Sequence, residues 1–227
     1  MQPTYLPWPG YFNLIATVDR FVLLDDVQYE RRSWQSRNRI LLSGAELYLT
    51  VPVRRSPREE LIRNIVIDNA QDWRNRHLQS LQRAYGTLPF GRDVVALVED
   101  VFRRGHERLA ALNQELVASI CRYVGLSTPL AQASDFNCGG KRGDHLAAIC
   151  HALGCDSYVS PARSREYLEA DRFAENSGIA LTYQEYTPPG YPQRGAAAFV
   201  SHLSVVDVLA HHGSDFARAY ILAECRS

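Results

Sequence analysis

The feature that most constrains this chain is a short apolar run, Phe21-Val22-Leu23-Leu24, that stops abruptly at Asp25-Asp26. Consecutive apolar residues bounded by polar ones read as a buried strand, and a strand covered on both faces needs a layer on each side. Similar strand-like stretches follow at Ser157-Tyr158-Val159-Ser160 and Ala180-Leu181-Thr182-Tyr183-Gln184, with helical patterns between them. Strands alternating with helices predict an α/β fold with a mainly parallel, Rossmann-like sheet.

The stretch from about 70 to 125 breaks the alternation and reads as a helical subregion. Asp72 stands as an N-cap, and His77, Leu78, Leu81 and Tyr85 recur at helical spacing until Pro89 interrupts them. Further helices are expected over 93–104 and 106–124, the latter ended by Gly125. Elsewhere, helices are expected at 11–17, 144–153, 164–177 and 204–211. A hairpin of 40–42 with 48–53 is expected around Ser43-Gly44, and a short strand at 65–67. No linker, repeat or low-complexity stretch divides the chain, so residues 1–227 are expected to form a single domain.

The 25 basic and 25 acidic side chains balance, so no global field draws in a nucleic-acid backbone or an anionic membrane. General nucleic-acid binding is therefore not expected. No apolar run approaches the roughly 18 residues of a membrane span, and the N-terminus lacks the basic and apolar regions of a signal peptide. The five cysteines form no CxxC pair, so reduced thiols in a cytoplasmic protein are expected. Scattered histidines and cysteines show no metal-ligand spacing, and nothing identifies a cofactor.

Several residues carry potential chemistry. Tyr5, Trp8 and Tyr11 sit in a Pro- and Gly-rich loop that opens a helix, where they either wall a ligand crevice or plug a sheet edge. Asp25 and Asp26 follow the strand directly. Neighbouring side chains on extended backbone point opposite ways, so one of the two is expected to face a site as a general base and the other to serve structure. Arg31, Arg32, Arg37 and Arg39 are interleaved with Trp34 and Asn38; guanidinium forks there suit a phosphate or carboxylate, or form a solvated face. The segment Asn137–Asp144 places glycines and Lys141 ahead of a helix, a layout that suits anions but is not a Walker loop. His77 reads as a core histidine or a base, and Cys138 has no base beside it in sequence. His211-His212 sits where a helix end favours a cation. Ser204 and Asp207 read as the cap and first-turn acid of the last helix.

Residues 2–12, QPTYLPWPGYF, together with DDVQYERRSWQSRNRI at 25–40, resemble the opening signature of the WbqC-like family. The similarity continues through the Trp73/His77/Tyr85 helix, Lys141, SYVSPARSREYL at 157–168 and YPQRGAAAFVSHLSVVDVLAHHG at 191–213, and so spans nearly the whole chain. Relatives of this kind carry an apolar strand ahead of the Gln-Pro, so the start of the chain is expected to lie upstream of Met1. The family occurs in O-antigen and other biosynthetic clusters. The resemblance implies attachment of an acyl or aminoacyl group to an amino sugar or a similar polar intermediate. It implies Asp25, Asp26 or His77 as catalytic residues. It implies substrate contacts from Gln2, Tyr5, Trp8, Tyr11, Gln28, Tyr29, Arg37, Asn38, Lys141, Ser160, Tyr191 and Gln193, with Lys141 and Arg37 on a phosphate or carboxylate.

The opening loop is also similar to that of the nucleotidylyltransferase-like superfamily. There a strand leads to a loop with two histidines, and pantothenate synthetases use an ATP-activated acid to form an amide. Here Pro7 and Tyr11 stand where the histidines would be, and a proline side chain donates no hydrogen bond to a phosphate. Three functions thus stand as expectations: an acyl- or aminoacyl-transferase, a non-catalytic protein that binds a free or carrier-tethered intermediate, and an ATP-dependent amide ligase. The expected partners are a small-molecule substrate and an aminoacyl donor or a carrier protein.

Overall fold

A computed structural model describes residues 1–223. The fold is mixed α/β. Its first helix, α1 (Pro9–Ala16), starts two residues ahead of the expected position because Pro9 occupies the first helical turn, where its missing N–H costs nothing. Strand β1 (Phe21–Leu23) buries Phe21 and Leu23. It pairs in parallel with β4 (Leu130–Gln132), a strand the apolar pattern did not reveal because all three of its residues are only half-buried.

Between them lie the hairpin β2 (Arg37–Leu42) with β3 (Ala45–Thr50) and three helices, α2 (Trp73–Tyr85), α3 (Gly91–Arg103) and α4 (Leu109–Tyr123). The hairpin turns at Ser43-Gly44, both with positive φ (52° and 80°), the two-residue geometry that matches strand twist. Val51–Val53 and Ile65–Ile67, expected as strand, contribute only an isolated bridge between Val53 and Ile67 and another between Val66 and Arg108.

The second half contains α5 (Gly143–Ala152), β5 (Ser157–Pro161), α6 (Arg165–Ala170), α7 (Phe173–Ser177), β6 (Ala180–Gln184) and α8 (Val206–Ile221). Strands β5 and β6 run parallel. The single helix expected at 164–177 is broken at Asp171-Arg172, where Arg172 adopts a left-handed conformation. Helix α8 runs well past the expected end at His211. It kinks at Gly213, whose φ of 79° lets the chain bend over the Phe90 ring.

The sheets are small and mostly parallel, not joined into one. Among the described residues there are three two-stranded ladders, two parallel and one antiparallel. The large core gathers α1 to α4, α8 and the flanking strands around Tyr5, Phe12, Trp73, Tyr85 and Leu209. A smaller core packs Leu146, Cys150, Leu168, Phe173 and Ile179 from the second half. No helix among the described residues is long and apolar enough to cross a membrane. Cys121, Cys138, Cys150 and Cys155 are free thiols, and Cys225 lies outside the described residues.

Candidate functional site

The site is built at the carboxyl ends of β1 and β4. Leaving β1, the chain turns at Asp25, whose N–H is donated to the Leu23 carbonyl (3.0 Å). The Asp25 carboxylate is buried. It accepts from the Ser134 N–H (3.0 Å) and the Ser134 hydroxyl (2.7 Å), tying the end of β1 to the turn that follows β4. The chain then bends at Asp26-Val27. Asp26 faces a cavity of about 1090 Å³.

On that cavity wall the Nε2 of His145 lies 3.2 Å from Asp26 Oδ1. His145 sits in the first turn of α5, and its Nδ1 is 3.1 Å from the Gly139 carbonyl. A carbonyl and a carboxylate oxygen are both acceptors, so both ring nitrogens must donate if the two bonds are made with Asp26 ionised. The pair then holds one proton more than a neutral imidazole beside a carboxylate. The loop before α5 permits this approach. Gly140 has a φ of 91°, and a Cβ there would stand 2.9 Å from the His145 backbone nitrogen.

The remaining wall joins distant parts of the chain: Gln2 from the opening loop, Gln28 after β1, Glu59 and Arg63 from the following loop, and Cys138, Lys141 and Arg142 from the Gly-rich turn. Gln2 is steadied by the Gln35 side-chain amide, 3.0 Å away, and Gln28 donates to the Arg58 carbonyl (2.9 Å). Arg142 is engaged already, with its Nε 3.3 Å from Asp171 and its guanidinium over the Tyr167 ring. The site therefore offers a carboxylate–imidazole pair for proton movement, side-chain amides for orientation, and cations for an oxyanion. No group of three or more metal-ligating side chains occurs among the described residues.

Of the residues expected here, Gln2, Asp26, Gln28 and Lys141 come together on this wall. The opening aromatics do not. Tyr5 and Tyr11 are buried in the large core, where Tyr5 bonds to His77 Nδ1 (2.8 Å) and Tyr11 donates to the Gln2 carbonyl (3.0 Å). Burial raises both phenol pKa values well above the ordinary range. Trp8 stacks on His202 (4.6 Å between ring centroids) and meets Tyr186 edge-on, away from the cavity.

His77 is likewise a core residue, packed against Trp73 and Phe102. Burial pushes its pKa down to about 4, against a weaker opposing contact from the Thr50 backbone. It lies outside the cavity. Asp25, with both oxygens committed to Ser134, is the structural member of the acidic pair.

The other expected contacts also prove to be internal. Tyr29 donates to the Ser36 hydroxyl (3.1 Å), and Asn38 clips the opening loop through the Tyr5 and Leu6 carbonyls (3.1 and 2.8 Å). Arg37 lies over the Tyr48 ring, with its Nε buried and without a partner. Ser160 is fully buried with an unpartnered hydroxyl. Tyr191 (2.7 Å) and Gln193 (3.0 Å) both donate to the buried Asp207 carboxylate, which also accepts from Tyr85 (3.0 Å). Tyr29, Asn38, Tyr191 and Gln193 find their partners inside the protein, and none of the six residues lines the cavity. His145 was not expected. Its partner lies 119 positions away in sequence, and no local pattern marks it.

The motifs that build this site lie in a segment that matches a known family almost end to end. The profile of the WbqC-like protein family matches residues 2–219. The chain belongs to that family. Among the curated relatives of this WbqC-like chain is "Uncharacterized protein Rv1507c" of Mycobacterium tuberculosis (strain ATCC 25618 / H37Rv). It is 33% identical over 217 residues, covering 95% of the chain and 93% of that protein. No solved structure matches the WbqC-like chain.

Proposed function

We propose that this WbqC-like chain is a cytoplasmic acyl- or aminoacyl-transferase. It would form an amide on a small amine-bearing intermediate such as an amino sugar, with Asp26 and His145 as its acid–base pair. The observation that carries the reading is the 3.2 Å contact between these two side chains on the wall of the large cavity. The whole chain acts as one functional domain, because that wall draws on both its halves. The cavity's position at the carboxyl ends of parallel strands also supports a Rossmann-like arrangement, the usual place for a ligand in such sheets.

The acceptor amine attacks the carbonyl carbon of an acyl donor, the new C–N bond forms, and the bond to the leaving group breaks. Asp26 takes the proton that the amine nitrogen sheds. His145 gives the proton on Nε2 to the leaving group. The proton on Asp26 then returns to Nε2 across their hydrogen bond, and the pair is restored. Gln2 and Gln28 orient the acceptor, and the cations on the wall stabilise charge that develops on the donor. The donor is an aminoacyl or acyl group, free or on a carrier protein.

The test is incubation of the purified protein with aminoacyl donors and amino sugars, followed by mass spectrometry. An acceptor mass increased by one acyl group supports a transferase. Ligand binding with no product across the donor panel would instead assign the cavity to a non-catalytic carrier of the same intermediates.

A further inference from the structure

The charge on the cavity wall is uneven once internal pairs are set aside. Asp26 is answered by His145, and Arg142 by Asp171. Lys141 and Arg63 then remain as cations, with Glu59 as the one carboxylate left on the wall. Neither Lys141 nor Arg63 forms an ion pair among the described residues.

Both cations project from pinned backbone. The Arg63 N–H is donated to the Asp25 carbonyl (2.8 Å), which fixes it beside the acidic corner. The Lys141 carbonyl accepts from the Asp144 N–H (3.2 Å), which fixes it at the start of α5. Two unneutralised cations from separate segments thus share one cavity. A guanidinium offers a planar fork and an ammonium a point charge, and the two together suit a group with several anionic oxygens. At about 1090 Å³ the space exceeds what a lone amino acid would fill, and it matches the upper end of small-molecule sites.

We propose that the cavity takes a phosphorylated ligand, with Lys141 and Arg63 on its phosphate oxygens and the Asp26–His145 pair at its reactive end. This rests on the transferase reading of the same site and names its substrate class. A phosphate group presents several anionic oxygens to both cations at once, whereas a carboxylate has only two to share between them.

Isothermal titration of the full chain with inorganic pyrophosphate tests this, with succinate as the dicarboxylate comparison. Saturable pyrophosphate binding is expected, weakened roughly tenfold by Lys141→Ala and by Arg63→Ala. It should be unchanged in Arg92→Ala, an exposed residue outside the cavity, and retained in Asp26→Asn. No binding, equal affinity for succinate, or unchanged affinity in the Lys141 and Arg63 variants would overturn the proposal. Asp26→Asn separates the two ideas. If it abolishes amide formation while pyrophosphate fails to bind, only the phosphate assignment falls. If pyrophosphate binds as expected while the unsubstituted protein forms no amide across the donor panel, only the transferase reading falls.

Discussion

His145 Nε2 faces Asp26 Oδ1 at 3.2 Å while its Nδ1 faces the Gly139 carbonyl, so both sides of the ring meet acceptors. The first prediction concerns the Asp26 contact. Nitrogen-15 NMR of the labelled protein is expected to show the His145 Nε2 resonance move in Asp26→Asn, with Nδ1, on the Gly139 carbonyl, moving much less. An Nε2 resonance unmoved by the substitution would mean that Asp26 does not hold the imidazole.

The two adjacent aspartates are expected to separate by effect. Asp25→Ala removes the acceptor from both the N–H and the hydroxyl of Ser134 in a buried position, and should cost about 2–4 kcal/mol of stability. Asp26→Asn is nearly isosteric on a cavity wall and should leave the melting temperature almost unchanged. Thermal denaturation of the two variants side by side checks this, and equal destabilisation would contradict the division of roles.

That division also shows what the sequence made legible. Strand alternation led to the expectation that one aspartate faces a site, but the pair lies past the end of β1 in a turn and bend, and the Ser134 contact separates the two side chains. The β2–β3 hairpin and the three middle helices were readable because turn chemistry and helical spacing act over a few residues. β4 was not, because its half-buried residues lack an apolar signature and its partner lies more than a hundred positions earlier. Tyr5, Tyr11, Tyr191 and Gln193 were expected to contact substrate, and the fold instead turns their polar atoms inward. Their partners, His77, the Gln2 carbonyl and Asp207, are supplied only by the tertiary fold.

His77 predicts a pH dependence of stability. Its pKa lies near 4 in the folded protein against 6.5 when exposed, so between these values the unfolded chain binds a proton that the folded protein refuses. Its contribution is complete above pH 6.5, drains away as the pH falls towards 4, and amounts to about 3 kcal/mol in total. Urea denaturation from pH 7 to 4 should show the loss, and His77→Gln should flatten that part of the profile. An unchanged profile in the variant would remove His77 as its source.

The buried Asp207 is expected to lock the loop bearing Tyr191 and Gln193 onto α8. Asp207→Ala leaves two phenols and an amide without their acceptor, and should cost about 3–5 kcal/mol. Tyr191→Phe should cost only about 1 kcal/mol, since Tyr85 and Gln193 still satisfy the carboxylate. Chemical denaturation of both variants measures the difference. A Tyr191→Phe loss as large as that of Asp207→Ala would place the energy in the Tyr191 bond alone.

The most direct test is the rate of amide formation by Asp26→Asn beside the unsubstituted protein, with melting temperatures taken on the same preparations. The expected result is a loss of at least about a hundredfold in turnover, the typical weight of a general base, with folding unchanged. Turnover preserved in a folded Asp26→Asn protein would contradict the assignment of Asp26 and His145 as the acid–base pair.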